Sequence, residues 1–127
     1  MSERIVVINP NSSVDVTAGI DAAMAPLRFA DGPAIDCLTL AEGPLGIETQ
    51  RHVDGVVGPL CELIEHEDNG ADAFVVACFS DPGLHSAREA TARPVMGISE
   101  SGITTALTLG ERFGIIAILP AGVARHQ

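Results

Sequence analysis

Short apolar runs and stretches with apolar residues at helical spacing take turns along this chain. The first run, Ile5-Val6-Val7-Ile8, is β-branched throughout and stops at Asn9-Pro10-Asn11-Ser12-Ser13, after which a helix is predicted over 14–25. A second short strand is predicted over 35–40, followed by the turn-rich loop Ala41-Glu42-Gly43-Pro44-Leu45-Gly46. In the helix predicted over 48–66, Val53, Val56, Val57, Leu60, Leu63 and Ile64 form one apolar stripe of 3.6-residue period. Pro59 lies inside that stripe and predicts a kink, because proline removes a backbone donor and crowds the preceding turn. Asn69-Gly70 closes the helix, Ala73-Phe74-Val75-Val76-Ala77 is the third strand, and a helix over 82–90 follows. Pro94-Val95-Met96-Gly97-Ile98 reads as a fourth strand, with Ser99 or Ser101 capping a helix that ends near Gly110. Phe113-Gly114-Ile115-Ile116-Ala117-Ile118-Leu119 reads as a fifth strand with the unbroken apolar character of a buried parallel one.

Strands alternating with helices predict an α/β fold, a parallel sheet with helices on both faces, since parallel neighbours need a crossover between them. Ligands in such sheets bind beyond the carboxyl ends of the strands. That rule gathers residues 9–13, 41–46, 78–81 and 98–101 on one rim. The turns at Asn11-Ser12-Ser13 and Phe79-Ser80-Asp81 also open helices, and paired helix N-termini would cradle a carboxylate or an enolate. After the fifth strand, residues 120–127 look like another strand-to-helix turn without its helix, as though a second repeat begins and stops.

Composition narrows the chemistry. With 127 residues and 46% hydrophobic content, the chain has the material for one compact domain with its own core. The formal net charge is -10, from 17 acidic against 7 basic residues, and every basic residue is an arginine. Without lysine the chain lacks the internal Schiff base of pyridoxal phosphate enzymes and the lysine of a phosphate-binding P-loop. So acidic a surface argues against nucleic acid or an anionic membrane as partner. Cys37, Cys61 and Cys78 are odd in number and show no C-x-x-C spacing, which predicts free thiols in place of a disulfide framework or a zinc ribbon. The opening Met1-Ser2-Glu3-Arg4 carries no signal-peptide pattern, and no apolar stretch reaches the roughly 20 residues of a membrane span. A soluble cytoplasmic protein is expected.

Among the rim residues Cys78 stands out. It follows the longest apolar strand and precedes Phe79-Ser80-Asp81-Pro82-Gly83-Leu84, where Asp81 suits an N-cap and Pro82 the first helical position. On this reading the thiol lies at the positive end of a helix dipole, a field that favours the thiolate. The competing reading is a buried cysteine packing as a small hydrophobe. Cys37 in a strand interior and Cys61 at the edge of the helical stripe are read as structural.

Three blocks resemble the Asp/Glu/hydantoin racemases, and together they are similar to the hydantoin racemase branch. They are Ile8-Asn9-Pro10-Asn11-Ser12-Ser13, Gly43-Pro44-Leu45-Gly46-Ile47-Glu48, and the stretch from Ala71 through Cys78-Phe79-Ser80-Asp81-Pro82-Gly83-Leu84, which Arg93-Pro94-Val95-Met96-Gly97-Ile98 extends. The resemblance covers the chain but only the first half of a typical member. It implies a flavodoxin-like lobe of a two-lobe racemase fold, with residues 1–112 as the N-terminal lobe and 113–127 as the first strand of a truncated second lobe. The implied activity is cofactor-independent racemisation, most simply of 5-substituted hydantoins. One thiolate removes the α-proton and a second thiol, supplied by the other lobe, returns one. Cys78 would be the first of these, with Phe79, Ser80 and Asn11 binding the substrate. A small-molecule substrate, no cofactor, no metal and a homo-oligomer are expected. Rival readings are an arylmalonate-decarboxylase-like enzyme, a hydrolase pairing Cys78 with His85, a Cys/His metal site and a non-catalytic domain that binds small anions or a partner. The decarboxylase carries only a second-lobe cysteine, so the thiol at Cys78 speaks against it. His85 falls one to two helical turns beyond the cap and is expected to point away.

Overall fold

The structure is a computed structural model and describes residues 3–124. Four strands, β1 (Arg4–Asn9), β2 (Ala34–Thr39), β3 (Ala73–Val76) and β4 (Val95–Gly97), form one parallel sheet in the order β2-β1-β3-β4. The helices between and after them are α1 (Val14–Met24), α2 (Gln50–Gly55), α3 (Val57–Glu67), α4 (Leu84–Ala90), α5 (Ile98–Leu109) and the short α6 (Pro120–Val123). The predicted parallel α/β arrangement is therefore present.

Side chains alternate between the faces of a strand, and here both faces are apolar. Val6 and Ile8 of β1 with Phe74 and Val76 of β3 are buried against Leu60 and Ile64 of α3 and Leu84 and Ala87 of α4. Phe74 is fully buried, which contributes up to about 3 kcal/mol of transfer free energy. On the other face Ile5, Val7, Ile35 and Val75 border an open apolar groove of about 330 Å³ together with Ile20 and Met24 of α1 and Ile98 of α5. At the amino ends of the strands Arg4 pairs with Asp36 and Glu67, half-exposed contacts that contribute about 0–1 kcal/mol each and lie far from the carboxyl rim.

The helix predicted over 48–66 is two helices. Its break falls at Val56, between α2 and α3, rather than at Pro59. A proline ring excludes the carbonyl of residue i-4, here Gly55, the last residue of α2, so the disruption appears one turn before the proline. The strand predicted over 113–119 is not formed. The sheet ends at β4, this segment has no ladder partner among the described residues, and Ile116 and Ile118 are 97% exposed. Apolar character alone does not make a strand, because backbone hydrogen bonds need a neighbour. The turn at 120–127 does start a helix, α6, while Arg125, His126 and Gln127 lie outside the described residues, as do Met1 and Ser2.

Candidate active site at the carboxyl rim

The chain runs from β1 outward to β2, then crosses back to β3 on the other side of β1. Strand order thus reverses between β1 and β3, the place where an open α/β sheet leaves a crevice beyond its strand ends. Two turns flank it, one after each strand.

The turn after β1 is built on Asn9, which is 2% exposed. Its Nδ2 donates toward Asn11 Oδ1 (2.8 Å), Thr17 Oγ1 (3.0 Å) and the Ser13 carbonyl (3.1 Å), and its Oδ1 accepts from the Asn11 amide (3.2 Å). Asn11 Oδ1 also accepts from the Ser13 amide at 3.0 Å. Ser13 then caps α1, its Oγ accepting from the Val16 amide, as its place before an apolar helix predicts. The loop after β2 rests on this turn: the Ser12 amide donates to the Pro44 carbonyl at 2.8 Å, and a Cβ on Gly43 would overlap the Pro10 carbonyl oxygen.

The turn after β3 starts from the Ala77 amide, which donates to the Ile8 carbonyl and holds the strand end beside β1. Cys78 comes next, partly buried, with Sγ 3.3 Å from Ser80 Oγ, either atom able to donate. The Asp81 amide donates to the Cys78 carbonyl at 3.0 Å and closes the turn. Asp81 itself has φ +45°, in the left-handed region that aspartate tolerates better than most residues, and Gly83 has φ +69°.

Asp81 does not cap the helix that follows it. α4 starts only at Leu84, with Gly83 in the N-cap position and no side-chain cap. The Asp81 carboxylate instead crosses to α5, where Oδ1 accepts from the Ser99 amide (2.9 Å) and Oδ2 from the Glu100 amide (2.7 Å). Two expectations are corrected by this arrangement. Cys78 is not at the first turn of a helix, and neither Ser99 nor Ser101 caps α5, whose N-cap residue is Gly97. The route across is open because Gly97 has no side chain: a Cβ there would overlap the Asp81 carboxylate.

Cys78, Phe79 and Ser80 border a cavity of about 550 Å³ together with Gly46, Ile47 and Glu48 from the loop before α2 and with residues 116–119 and Gly122. The structure thus brings three of the four sequence-predicted site residues to one cavity. Asn11 stands on the neighbouring turn, outside this lining, with its Oδ1 engaged as described. His85 is exposed on α4 and does not border the cavity. Burial, then the nearby charge of Asp21, pushes the Cys37 thiol up, and burial followed by Glu65 and Glu89 does the same for Cys61. Both shifts favour the protonated thiol over the thiolate. At the start of α5, Arg88 grips Glu100 with both terminal nitrogens (2.8 and 3.3 Å), which lowers the Glu100 carboxyl below its usual range. Among the described residues no group of three His, Cys, Asp or Glu side chains could hold a metal ion, and no helix is long and apolar enough to cross a membrane.

Sequence reasoning missed Asn9 and Gly97. Asn9 ends a strand and is followed by two residues of turn chemistry, the signal of a side chain folding back on its own backbone. Gly97 carries no local signal, because its partner lies 16 residues away in sequence.

Fold and rim define a parallel α/β lobe that presents a thiol and a hydroxyl beside the switch point of its sheet. The chain belongs to the Asp/Glu/Hydantoin racemase family, which it matches over residues 5–127. It is 39% identical over 118 residues to a hydantoin racemase of Pseudomonas sp. (strain NS671), covering 92% of this chain and 47% of that protein. It is also 39% identical over 125 residues to the hydantoin racemase of Paenarthrobacter aurescens, covering 97% of this chain and 52% of that protein. The solved structure of an allantoin racemase from Klebsiella pneumoniae superposes with a TM-score of 0.91 at 34% identity, over 98% of this chain and 51% of that one. The chain spans about half the length of the relatives it matches.

Proposed function

We propose that Cys78 is one acid/base of a cofactor-independent racemase acting on 5-substituted hydantoins. The Cys78 thiolate takes the proton from the stereogenic carbon, and the electron pair left behind delocalises into the adjacent carbonyl as an enolate. An acid on the opposite face, supplied by a second lobe, returns a proton to that carbon, so the product is the mirror image and nothing is oxidised or consumed. In this reading residues 1–112 are the first lobe and residues 113–127 lead into the second. Ser80 donates to the sulfur or to a substrate oxygen and Phe79 packs on the ring or its substituent, while Asn11, outside the lining of this cavity, would meet only a substrate that extends to the turn after β1.

The observation that carries the proposal is the thiol at the sheet's switch point, bordering a cavity and 3.3 Å from a hydroxyl. The hydantoin and allantoin racemases among the relatives support the substrate class, since allantoin is itself a 5-substituted hydantoin. Apolar Ile47 and Phe79 on the lining suit a hydantoin better than a dianionic amino acid. The test is Cys78→Ser in the full-length protein, followed by loss of optical rotation of a single hydantoin enantiomer. A fall of about a thousandfold is expected. Racemisation at the wild-type rate would refute a proton-transfer role for Cys78.

A further inference from the structure

Asp81 faces neither the cavity nor its own helix, and its conformation asks for a reason. Its carboxylate receives two amides of α5, at 2.9 and 2.7 Å, while its own amide bonds the Cys78 carbonyl at 3.0 Å. One residue thus ties the thiol turn to the start of α5 from both its ends. The left-handed φ of +45° is held against its intrinsic cost because both ends are fixed. Across the ladder Val76, two residues before Cys78, pairs with Gly97, the last residue of β4, so the clamp joins the ends of two adjacent strands. Its seat depends on that glycine. Gly97 has φ -103° and ψ 141°, a backbone any residue adopts, and the nearest atoms a Cβ there would meet are those of the Asp81 carboxylate.

We infer that the Asp81 carboxylate, seated over Gly97, is a positioning device for Cys78: it sets the turn that places the thiol beside Ser80 and so governs proton transfer without touching substrate. This inference rests on the reading of Cys78 as an acid/base. The two hydrogen bonds fasten this short turn to a second helix, and small displacements of a reacting group are costly. A misplacement of about 1 Å can lower a rate about a hundredfold.

The experiment is a double-mutant cycle on the full-length protein with Asp81→Ala and Gly97→Ala. Two quantities are read, the steady-state constants for hydantoin racemisation and the rate constant for alkylation of Cys78 by iodoacetamide, with labelling at that cysteine verified by peptide mass. Each single variant is expected to lower kcat by about tenfold or more with KM changed little, and to change the Cys78 alkylation rate. The double variant is expected to match Asp81→Ala alone within about twofold, because the added methyl has nothing left to displace. Asp81→Asn keeps the shape and one acceptor, is the variant of choice if the alanine does not fold, and should fall between wild type and Asp81→Ala. Wild-type kcat and alkylation in both single variants would overturn the inference, as would independent multiplying effects, or losses confined to thermal stability and KM. Should the wild-type protein racemise no hydantoin, or Cys78→Ser remain active, the functional reading fails while the alkylation cycle still decides whether the clamp positions the thiol.

Discussion

The turns after β1 and β3 occupy equivalent places at the rim, flank the same switch point, and carry the same kinds of residue, yet they satisfy their polar groups in opposite ways. The side chains of the first close on their own turn and on α1, while the Ser12 amide reaches the Pro44 carbonyl. Asn9, Asn11 and Ser13 bond one another and the start of the helix they precede, none reaching further than the eight positions from Asn9 to Thr17. The second reaches outward, its carboxylate leaving Asp81 for the Ser99 and Glu100 amides, 18 and 19 residues further along. A turn whose side chains bond locally depends little on how distant elements pack. A turn held by a distant helix is only as ordered as the packing between the two, and it is this second kind that carries the thiol.

Separating the two turns experimentally calls for variants that strike one and spare the other. The largest effect belongs to Cys78→Ser, expected to lower racemisation about a thousandfold while leaving the urea midpoint essentially where it was, since the change is nearly isosteric. A large drop in stability would mean that this turn, too, is mainly structural. Next is Asn9→Ala, which removes a buried amide with four partners and leaves their polar groups short of bonds. A stability loss of about 2–3 kcal/mol is expected by urea unfolding, with Cys78 alkylation in the folded protein little changed. Smaller again is Ser13→Ala, the loss of a local cap, expected to cost about 1 kcal/mol with no change in Cys78 alkylation. If alkylation does change, the two turns are coupled and the contrast between them is too sharp.

The smallest effect concerns Glu100, whose amide belongs to the Asp81 clamp and whose side chain belongs to Arg88. The fold lowers the Glu100 carboxyl through its hydrogen bond to Arg88, so the pair stabilises the protein above the unfolded carboxylate range. That contribution disappears as pH falls through the lower, folded value. Glu100→Gln is therefore expected to melt slightly below wild type at neutral pH and to converge with it in acid, as thermal scans across that range would record. The backbone amide is untouched, so Cys78 alkylation should stay at the wild-type rate. A change would assign the ordering of this helix start to the surface ion pair and not to Asp81.

The site was partly legible in the sequence. Cys78, Phe79 and Ser80 stood out because a long apolar strand runs into a turn there, and they do share a cavity. That the turn Asn11-Ser12-Ser13 opens a helix was legible as well, and Ser13 caps that helix through a partner only three residues away. Asp81 was assigned to the nearest helix start, where a proline and a good capping residue coincide, and the structure gives it to another helix. The helical stripe over 48–66 was read correctly as apolar, since Leu60 and Ile64 are buried, but the carbonyl clash of Pro59 splits it a turn early.

By itself the sequence determined what short-range physics governs: the period of the apolar residues, hence the four strands of the sheet and the helices between them, the alternation that demands a parallel sheet, and the thiol at a strand's carboxyl end. Tertiary structure alone decided which helix receives the Asp81 carboxylate, why position 97 holds a residue without a side chain, and that the apolar segment over 113–119 pairs with no strand among the described residues. Each of those outcomes depends on a partner far along the chain, and a hydrogen bond or a close approach between distant segments leaves no periodic trace in either of them.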